Sequence, residues 1–319
     1  MANIAITNVC NLNCPYCFAN PITNQQSQFM TLKDFKKILE FIRSAKPFSP
    51  TVLGIIGGEP TLHPDFNDIL TYLTAFCSSY NCMATIFTNG TNLLPYFTNF
   101  DNPFLSILLN YNNPKLYSNN LSDQILKVFE RANNKKWFHT NKLRIGCNLY
   151  PTEQDYNFIW QAVKQYHISN LRVSIASPAA SFSNYQYKKD EYFQFMKPIF
   201  LNFVQNAELN HCLLMLDCSK IPQCYFSDKE WQLIIKNCYN YNNLVCSPSI
   251  DFTINNQAIS CFGNYFPIDF TKFATFNDLQ RYFTYSNYIK ISNNFTMTKC
   301  QNCEKKDLLL CQGGCLNFK

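Results

Sequence analysis

The chain has 319 residues, of which 47% are hydrophobic and 16% aromatic, and its formal net charge is +6. These values predict a globular protein with a sizeable core, in one large domain or two smaller ones. The sequence shows no apolar run of the roughly 18 residues that span a bilayer, no secretion signal and no basic run typical of nucleic-acid binding.

The first predicted element is a strand over residues 2–7, and a loop with three cysteines follows it directly. Cys10, Cys14 and Cys17 have a C-x₃-C-x₂-C spacing and are separated by Asn and Pro residues. Three thiolates on one loop are typical ligands of an iron–sulfur cluster. The alternatives are three core cysteines, which usually lie in an apolar run, or zinc, which usually takes four ligands in pairs.

Strand and helix patterns then alternate along the chain. A polar loop is predicted over 21–29, and Thr31 is predicted to cap a helix. Further strands are predicted over 52–56, 83–87, 104–109, 143–149 and 171–175. Further helices are predicted over 65–78, 122–132, 153–165 and 190–209, with a linker over 177–183. This alternation indicates βαβ units with a parallel sheet.

A glycine-rich motif ends the second predicted strand; its residues are Gly57, Gly58, Glu59 and Pro60. Two glycines allow a backbone to approach a ligand closely. The same residues would also suit a simple turn from strand to helix.

Three asparagines lie at the ends of later strands. Active sites of barrel-like α/β folds lie at the carboxyl ends of the strands. Asn89, Asn110 and Asn148 are therefore candidates to bind a cofactor or substrate, and the alternative is that they only form turns.

Most of the other cysteines lie late in the chain. Cysteine-rich sequence with short predicted elements begins near residue 210, so we predict domains over 1–209 and 210–319. Six of its cysteines have ligand-like positions: Cys246, Cys261, Cys300, Cys303, Cys311 and Cys315. Clustered cysteines without a secretion signal favour reduced metal ligands and a cytoplasmic location. Cys77, Cys82 and Cys147 are interpreted as structural.

Residues 6–17, including Tyr16, resemble the cluster loop of the radical SAM superfamily. Residues 57–60 resemble the motif of that family that contacts the amino group of S-adenosylmethionine (SAM). The resemblance implies an α/β fold with a partial (βα)₆ TIM-like barrel. It also implies a [4Fe–4S] cluster on Cys10, Cys14 and Cys17, whose open iron binds SAM. One-electron reduction then yields methionine and a 5′-deoxyadenosyl radical.

The late cysteines resemble a SPASM or twitch-like domain, which carries auxiliary iron–sulfur clusters. The resemblance assigns Cys246, Cys261 and Cys315 to a first auxiliary cluster. It assigns Cys300, Cys303 and Cys311 to a second. Zinc on the four last cysteines is the alternative.

The chain departs from the pattern of that domain in three places. The spacing from Cys303 to Cys311 is longer than usual, and the usual last cysteine is missing. Asn256 replaces a glycine ahead of Cys261, although asparagine tolerates the left-handed region. The second cluster is therefore three-ligated, completed by another cysteine, or absent. Candidates for the fourth ligand of the first cluster are Cys238, Cys224 and Cys218.

Cys218 and Cys224 lie near the predicted domain boundary and support a second hypothesis. A thiol facing the substrate can return a hydrogen atom to a carbon radical, and Pro222 would stiffen the loop that presents Cys224. The alternatives are ligation or simple burial.

The resemblance implies a radical SAM enzyme that modifies a peptide. The implied reaction is epimerisation, thioether formation or carbon–carbon crosslinking. A flavodoxin or a ferredoxin-type protein is the expected reductant, and neither nucleic acid nor a membrane is an expected partner. One alternative is a radical dehydrogenase or modifier of a small molecule. The alternative of another class is a non-catalytic iron–sulfur protein for electron transfer or sensing.

Overall fold

The computed structural model describes residues 2–17, 26–45, 52–176, 188–217, 220–241, 244–245, 249–262, 265–294 and 297–316. The linker predicted over 177–183 lies outside these ranges, as do Cys218, Cys246 and most of the loop predicted over 21–29.

The strands of the described ranges form one sheet. They are β1 (Ala2–Ala5), β2 (Val52–Ile56), β3 (Met83–Thr88), β4 (Leu105–Asn110), β5 (Leu143–Leu149), β6 (Asn170–Ile175), β7 (Leu213–Leu216), β8 (Ile250–Phe252), β9 (Gln257–Ile259) and β10 (Ile268–Asp269). Their order is β10-β9-β8-β1-β2-β3-β4-β5-β6-β7. All pairs from β8 to β7 are parallel, and β9 and β10 add antiparallel pairs at one edge.

Helices connect the strands and cover the sheet. Those described are α1 (Leu32–Arg43), α2 (Phe66–Tyr80), α3 (Asn119–Asn134), α4 (Asn157–Tyr166), α5 (Lys189–Leu209), α6 (Asp228–Asn237), α7 (Phe276–Ser292) and α8 (Glu304–Asp307). Thr31 caps α1 as predicted, because its side chain accepts the Asp34 N–H at 3.1 Å. Apolar side chains of helices and strands form one core cluster.

The predicted α/β fold with six parallel strands in chain order is confirmed by β1 to β6. The sheet also continues past residue 210, since β7 pairs with β6 and β8 pairs with β1. The predicted boundary between 1–209 and 210–319 is therefore not marked by a break in the sheet. Within the described residues, β7 and β10 are the two edges, so the sheet does not close into a barrel.

A buried carboxyl group links β8 to β1. Asp251 is 4% exposed and accepts a hydrogen bond from the Asn3 side chain at 2.6 Å. Burial raises the pKa of Asp251 to about 7, and the nearby Asp217 carboxylate adds to the rise, whereas the Asn3 hydrogen bond opposes it. The native protein therefore holds a proton at Asp251 that the unfolded chain releases near pH 4.

This raised pKa makes the stability of the protein depend on pH. The stabilisation of the folded state by neutral Asp251 is complete below pH 4 and is lost as the pH rises from there through about 7. The full loss lowers the free energy of unfolding by at most about 4 kcal/mol. Asp251→Asn keeps an acceptor for Asn3 and cannot ionise, so its melting temperature should exceed that of wild type more at pH 8.5 than at pH 5.5. The exposed Asp123→Asn is the control. Equal shifts of Asp251→Asn at both pH values would contradict the assignment.

Candidate functional site

The loop after β1 brings the three predicted cluster ligands together. Cys10, Cys14 and Cys17 are all half-buried at the carboxyl end of that strand. A turn closes within the loop, because the Cys17 N–H donates to the Cys14 carbonyl at 3.0 Å. Asn8 fixes the start of the loop by accepting the Gln28 N–H at 2.8 Å. The loop is thus held at the edge of the sheet where the sequence predicts an active site.

The chemistry of these thiols fits an iron–sulfur cluster. Burial, together with charge on Cys17, raises the pKa of the Cys10 thiol to about 11 and that of Cys14 to about 12. Thiols of this kind ionise when a metal supplies positive charge. Within the described ranges, no three Cys, His or carboxylate side chains converge on one metal ion. A [4Fe–4S] cluster instead carries its cysteines on separate irons.

The glycine-rich motif packs directly on the start of the cluster loop. Gly58 donates its N–H to the Thr7 carbonyl at 2.8 Å, and Glu59 donates its N–H to the Val9 carbonyl at 2.7 Å. A Cβ on Gly57 would stand 2.3 Å from the Thr7 carbonyl oxygen, and one on Gly58 would stand 2.2 Å from that of Val9. The glycines thus allow close approach of two backbone segments, and their predicted contact with SAM stays a prediction.

The Glu59 side chain connects this motif to the end of β3. Its Oε1 accepts from the Thr61 and Thr88 hydroxyls, each at 2.6 Å, and from the Thr61 N–H at 3.2 Å. Its Oε2 accepts the Asn89 N–H at 2.7 Å. Burial raises the pKa of Glu59, and these hydrogen bonds oppose the rise. The carboxyl group therefore acts as a buried acceptor that holds Asn89 in place.

Asn89 in turn lies against the cluster loop. Its side-chain amide donates to Asn11 Oδ1 at 3.0 Å and lies 4.0 Å from Cys10 Sγ. Its Oδ1 accepts from the Thr91 hydroxyl at 2.6 Å, and Asn11 donates to that hydroxyl at 2.8 Å. Of the three predicted strand-end asparagines, Asn89 is the one joined to the loop by these bonds.

Asn110 and Asn148 lie at strand ends as predicted. Asn110 ends β4, and its Oδ1 is 2.6 Å from the position that a Cβ on Gly146 would take. Asn148 is in register with Ser174 of β6. Both side chains are half-buried, and their binding of cofactor or substrate stays a prediction.

Tyr16 is half-buried and supports the second thiol of the loop. Its hydroxyl donates a hydrogen bond to Cys14, which lowers the pKa of that thiol against the effect of burial. The centroid of its ring lies 5.0 Å from that of Tyr150, the residue that directly follows β5.

Sequence reasoning missed Asn11, Thr88, Thr91 and Tyr150. Asn11 lies inside the cysteine motif, and the other three lie within three residues of a strand end. The strand-end rule that selected Asn89 could therefore have selected its neighbours, but not their partners.

The C-terminal cysteines occupy short irregular elements. Cys300 ends a 3₁₀ helix over Thr298–Cys300, and Cys303 directly precedes α8. Cys300 is buried, and Cys303 and Cys311 are half-buried.

For the first auxiliary cluster, the structure describes two of the three predicted ligands. Cys261 and Cys315 are half-buried, and Cys246 lies outside the described residues. Cys238 is buried, and its backbone forms an isolated parallel β-bridge with Leu214 of β7. Burial raises its pKa to about 12, and Lys220 opposes the rise. Asn256 adopts φ 56°, so the left-handed conformation expected there is confirmed.

A buried lysine lies near two of the C-terminal thiols. Lys189 is 5% exposed, and its ammonium donates to Asn294 Oδ1 at 2.6 Å and to the Asn294 carbonyl at 2.9 Å. Burial lowers the pKa of Lys189, whereas charge on Cys315 and Cys300 raises it. A buried cation in this position is suited to balance the negative charge of thiolates.

Of the two thiols predicted as hydrogen donors, the structure describes Cys224 alone. Cys218 lies outside the described residues. Cys224 is exposed, and its neighbours include three other thiols. Catalysis by either residue stays a prediction, and the position of Cys224 favours the role argued below.

Residues 4–158 match the family model described as Radical SAM superfamily. A stretch of 70 residues is 39% identical to 7,8-dihydro-6-hydroxymethylpterin dimethyltransferase of Methanocaldococcus jannaschii, over 22% of this chain and 14% of that protein. Another of 70 residues is 33% identical to GTP 3′,8-cyclase of Vibrio parahaemolyticus, over 21% of this chain and 20% of that protein. The chain therefore matches no more than a fifth of the length of either relative.

The fold as a whole is similar to SuiB of Streptococcus suis. The structure of SuiB bound to S-adenosylmethionine superposes with a TM-score of 0.66 at 17% identity, over 99% of this chain and 73% of SuiB. SuiB bound to the precursor peptide SuiA gives a TM-score of 0.64 at 17% identity, over 99% of this chain and 72% of SuiB. These superpositions show the fold, and the family model assigns residues 4–158 to the radical SAM superfamily. Among the helices described, none is long and apolar enough to cross a membrane.

Proposed function

We propose that this protein is a radical SAM enzyme that abstracts hydrogen from a peptide. The observation that carries the proposal is the continuous set of contacts from Cys10 through Asn89 to Glu59. These contacts hold the three-thiol loop against the glycine-rich motif in a radical SAM domain. The bound cluster and SAM supply the 5′-deoxyadenosyl radical.

The residues of this site divide the remaining work. Cys10, Cys14 and Cys17 hold the cluster, and Tyr16 orients Cys14 by its hydrogen bond. Residues 57–60 and Asn89 bind and orient SAM beside the loop, with Asn110 and Asn148 further along the strand ends. Auxiliary clusters on the C-terminal cysteines, together with a flavodoxin or ferredoxin-type donor, supply or accept electrons.

A peptide substrate is supported by the fold comparison. SuiB, whose fold covers 99% of this chain, is described in complex with the precursor peptide SuiA. The proposed reaction removes a hydrogen atom from a peptide carbon. Return of a hydrogen on the other face gives an epimer, whereas loss of a second electron and a proton gives a thioether or a carbon–carbon crosslink.

A small-molecule substrate is the second candidate. It is favoured by the names of two curated relatives, which refer to a pterin and to GTP. Those matches lie in short stretches of 70 residues, so they support the SAM chemistry more directly than the substrate.

Co-expression with short peptides encoded beside the gene tests the choice of substrate. We expect the peptide to change mass only with wild type and not with Cys14→Ala, because Cys14 is needed to hold the cluster. In D₂O, an epimerised peptide gains one deuterium, and a crosslinked peptide is two hydrogens lighter. Unchanged peptides, together with SAM cleavage stimulated by a pterin or a nucleotide, would contradict the peptide and support the second candidate.

A further inference from the structure

The last cysteine motif offers three ligands where an all-cysteine [4Fe–4S] cluster takes four. Cys300, Cys303 and Cys311 lie on adjacent segments, and Cys315 is assigned by resemblance to the other auxiliary cluster. A fourth thiol near these three would complete the set.

Cys224 lies at this point of the fold. It is the central residue of a short 3₁₀ helix, Gln223–Tyr225. The Tyr225 hydroxyl lies 2.9 Å from Met297 Sδ, and the Lys299 ammonium lies 4.1 Å from the Tyr225 ring centroid. Gln223 accepts a hydrogen bond from Lys305. Both neighbours of Cys224 therefore contact the segments that carry Cys300 and Cys303.

The segment that presents Cys224 is also anchored to helix α5. The Tyr225 hydroxyl also donates to Asp190 at the start of α5. The Tyr225 ring lies 5.4 Å from that of Phe193, which itself packs on Gly314. Helix α5 thus holds Cys224 and the C-terminal motif in one fixed arrangement.

The charges around the four thiols suit a negatively charged cluster. Cys224 is exposed at the surface but partly desolvated, which raises the pKa of its thiol; Lys299 opposes the rise, and charge on Cys311, Cys300 and Cys303 adds to it, so these groups lie near one another. Four lysine side chains lie near these thiols, which are themselves close enough to interact with one another. The lysines are Lys189, Lys299, Lys305 and Lys306.

We propose that Cys224 is the fourth ligand of the cluster held by Cys300, Cys303 and Cys311. This inference rests on the proposed function for the presence of an iron–sulfur cluster. It adds to Cys300, Cys303 and Cys311 a ligand that lies earlier in the chain. A Cys224 thiolate bound to iron has no S–H hydrogen to give. The proposal therefore excludes Cys224 as the hydrogen donor.

The test uses the full chain, reconstituted without oxygen, in a background of Cys10→Ala, Cys14→Ala and Cys17→Ala. In that background the remaining iron reports auxiliary clusters alone. We expect Cys224→Ala to lose up to about four irons per chain, or to show the spectrum of a three-iron cluster in the oxidised state. Cys212→Ala is the matched control, because Cys212 is buried near the end of α5. Iron content and Mössbauer spectra of Cys224→Ala that equal those of Cys212→Ala would overturn the proposal.

A labelling measurement on wild type avoids any effect of a variant on folding. Cys224 is exposed, so as a free thiol it should be accessible to iodoacetamide, and alkaline pH increases the reactive thiolate form. We expect protection in the iron-loaded protein and labelling after a chelator and oxidant remove the iron. Equal labelling in both states would overturn the ligand assignment. Zinc, or no metal, in the triple-variant background would also overturn it, whereas SAM cleavage by wild type would leave the proposed function standing.

Discussion

The variant that replaces Cys10, Cys14 and Cys17 with alanine should form no 5′-deoxyadenosine from SAM after reduction. These thiols are the proposed ligands of the cluster that binds SAM, and no electron can reach SAM without it. Ligation is local to each set of thiolates, so the variant should keep roughly half or more of its iron on the auxiliary cysteines. The measurements are 5′-deoxyadenosine by chromatography and iron per chain.

A control variant separates this loss from a general effect of removing thiols. Alanine at Cys77, Cys82 and Cys212 removes the same number of thiols, all of them buried outside the proposed cluster sites. It should retain SAM cleavage and the full iron content. 5′-Deoxyadenosine from the Cys10, Cys14 and Cys17 variant would show that the assignment is wrong. A folded but iron-free variant would exclude the auxiliary clusters.

Gly58→Ala should reduce SAM cleavage by about 100-fold or more, because misplacement by about 1 Å can cost that much. The added Cβ would stand 2.2 Å from the Val9 carbonyl oxygen. That atom belongs to the backbone just before Cys10, so relief of the collision must move either the cluster loop or the glycine-rich motif. The measurements are the rate of 5′-deoxyadenosine formation and the iron content at equal protein folding.

Gly54→Ala is the matched control for this prediction. Its Cβ would stand 2.0 Å from Asn3 Oδ1, a side-chain atom within the sheet. We expect lower stability with a much smaller change in the rate of SAM cleavage per iron-loaded protein. Equal losses of that rate in Gly54→Ala and Gly58→Ala would indicate a general destabilisation and contradict the role of Gly58 in positioning the loop.

The sequence predicted the parallel part of the sheet because its strands are apolar and separated by helical patterns. The bounds of Val52–Ile56 and Leu143–Leu149 were predicted to the residue. The strands after residue 210 were not predicted. They have four residues or fewer, which is too short for a clear pattern, and their places beside β6 and β1 depend on tertiary packing.

In the candidate site, too, local sequence predicts some features, whereas contacts between distant segments could not be predicted. The spacing of Cys10, Cys14 and Cys17 and the strand end at Asn89 can be recognised from local sequence. The hydrogen bonds from Thr88 and Asn89 to Glu59, and the backbone contact of Gly58 with Thr7, join segments that are far apart in the chain, so spacing could not predict them. For the same reason the sequence leaves Cys224 as a free thiol, a ligand or a buried cysteine, and the fold brings it near Cys300, Cys303 and Cys311.

Cleavage of SAM by the wild-type protein tests the central claim most directly. The anaerobically reconstituted chain, reduced with dithionite or a flavodoxin system, should convert SAM into equal amounts of methionine and 5′-deoxyadenosine. A peptide substrate should increase the rate. A folded, fully iron-loaded and reduced protein that forms no 5′-deoxyadenosine, with or without peptide, would contradict the account and favour a non-catalytic iron–sulfur protein.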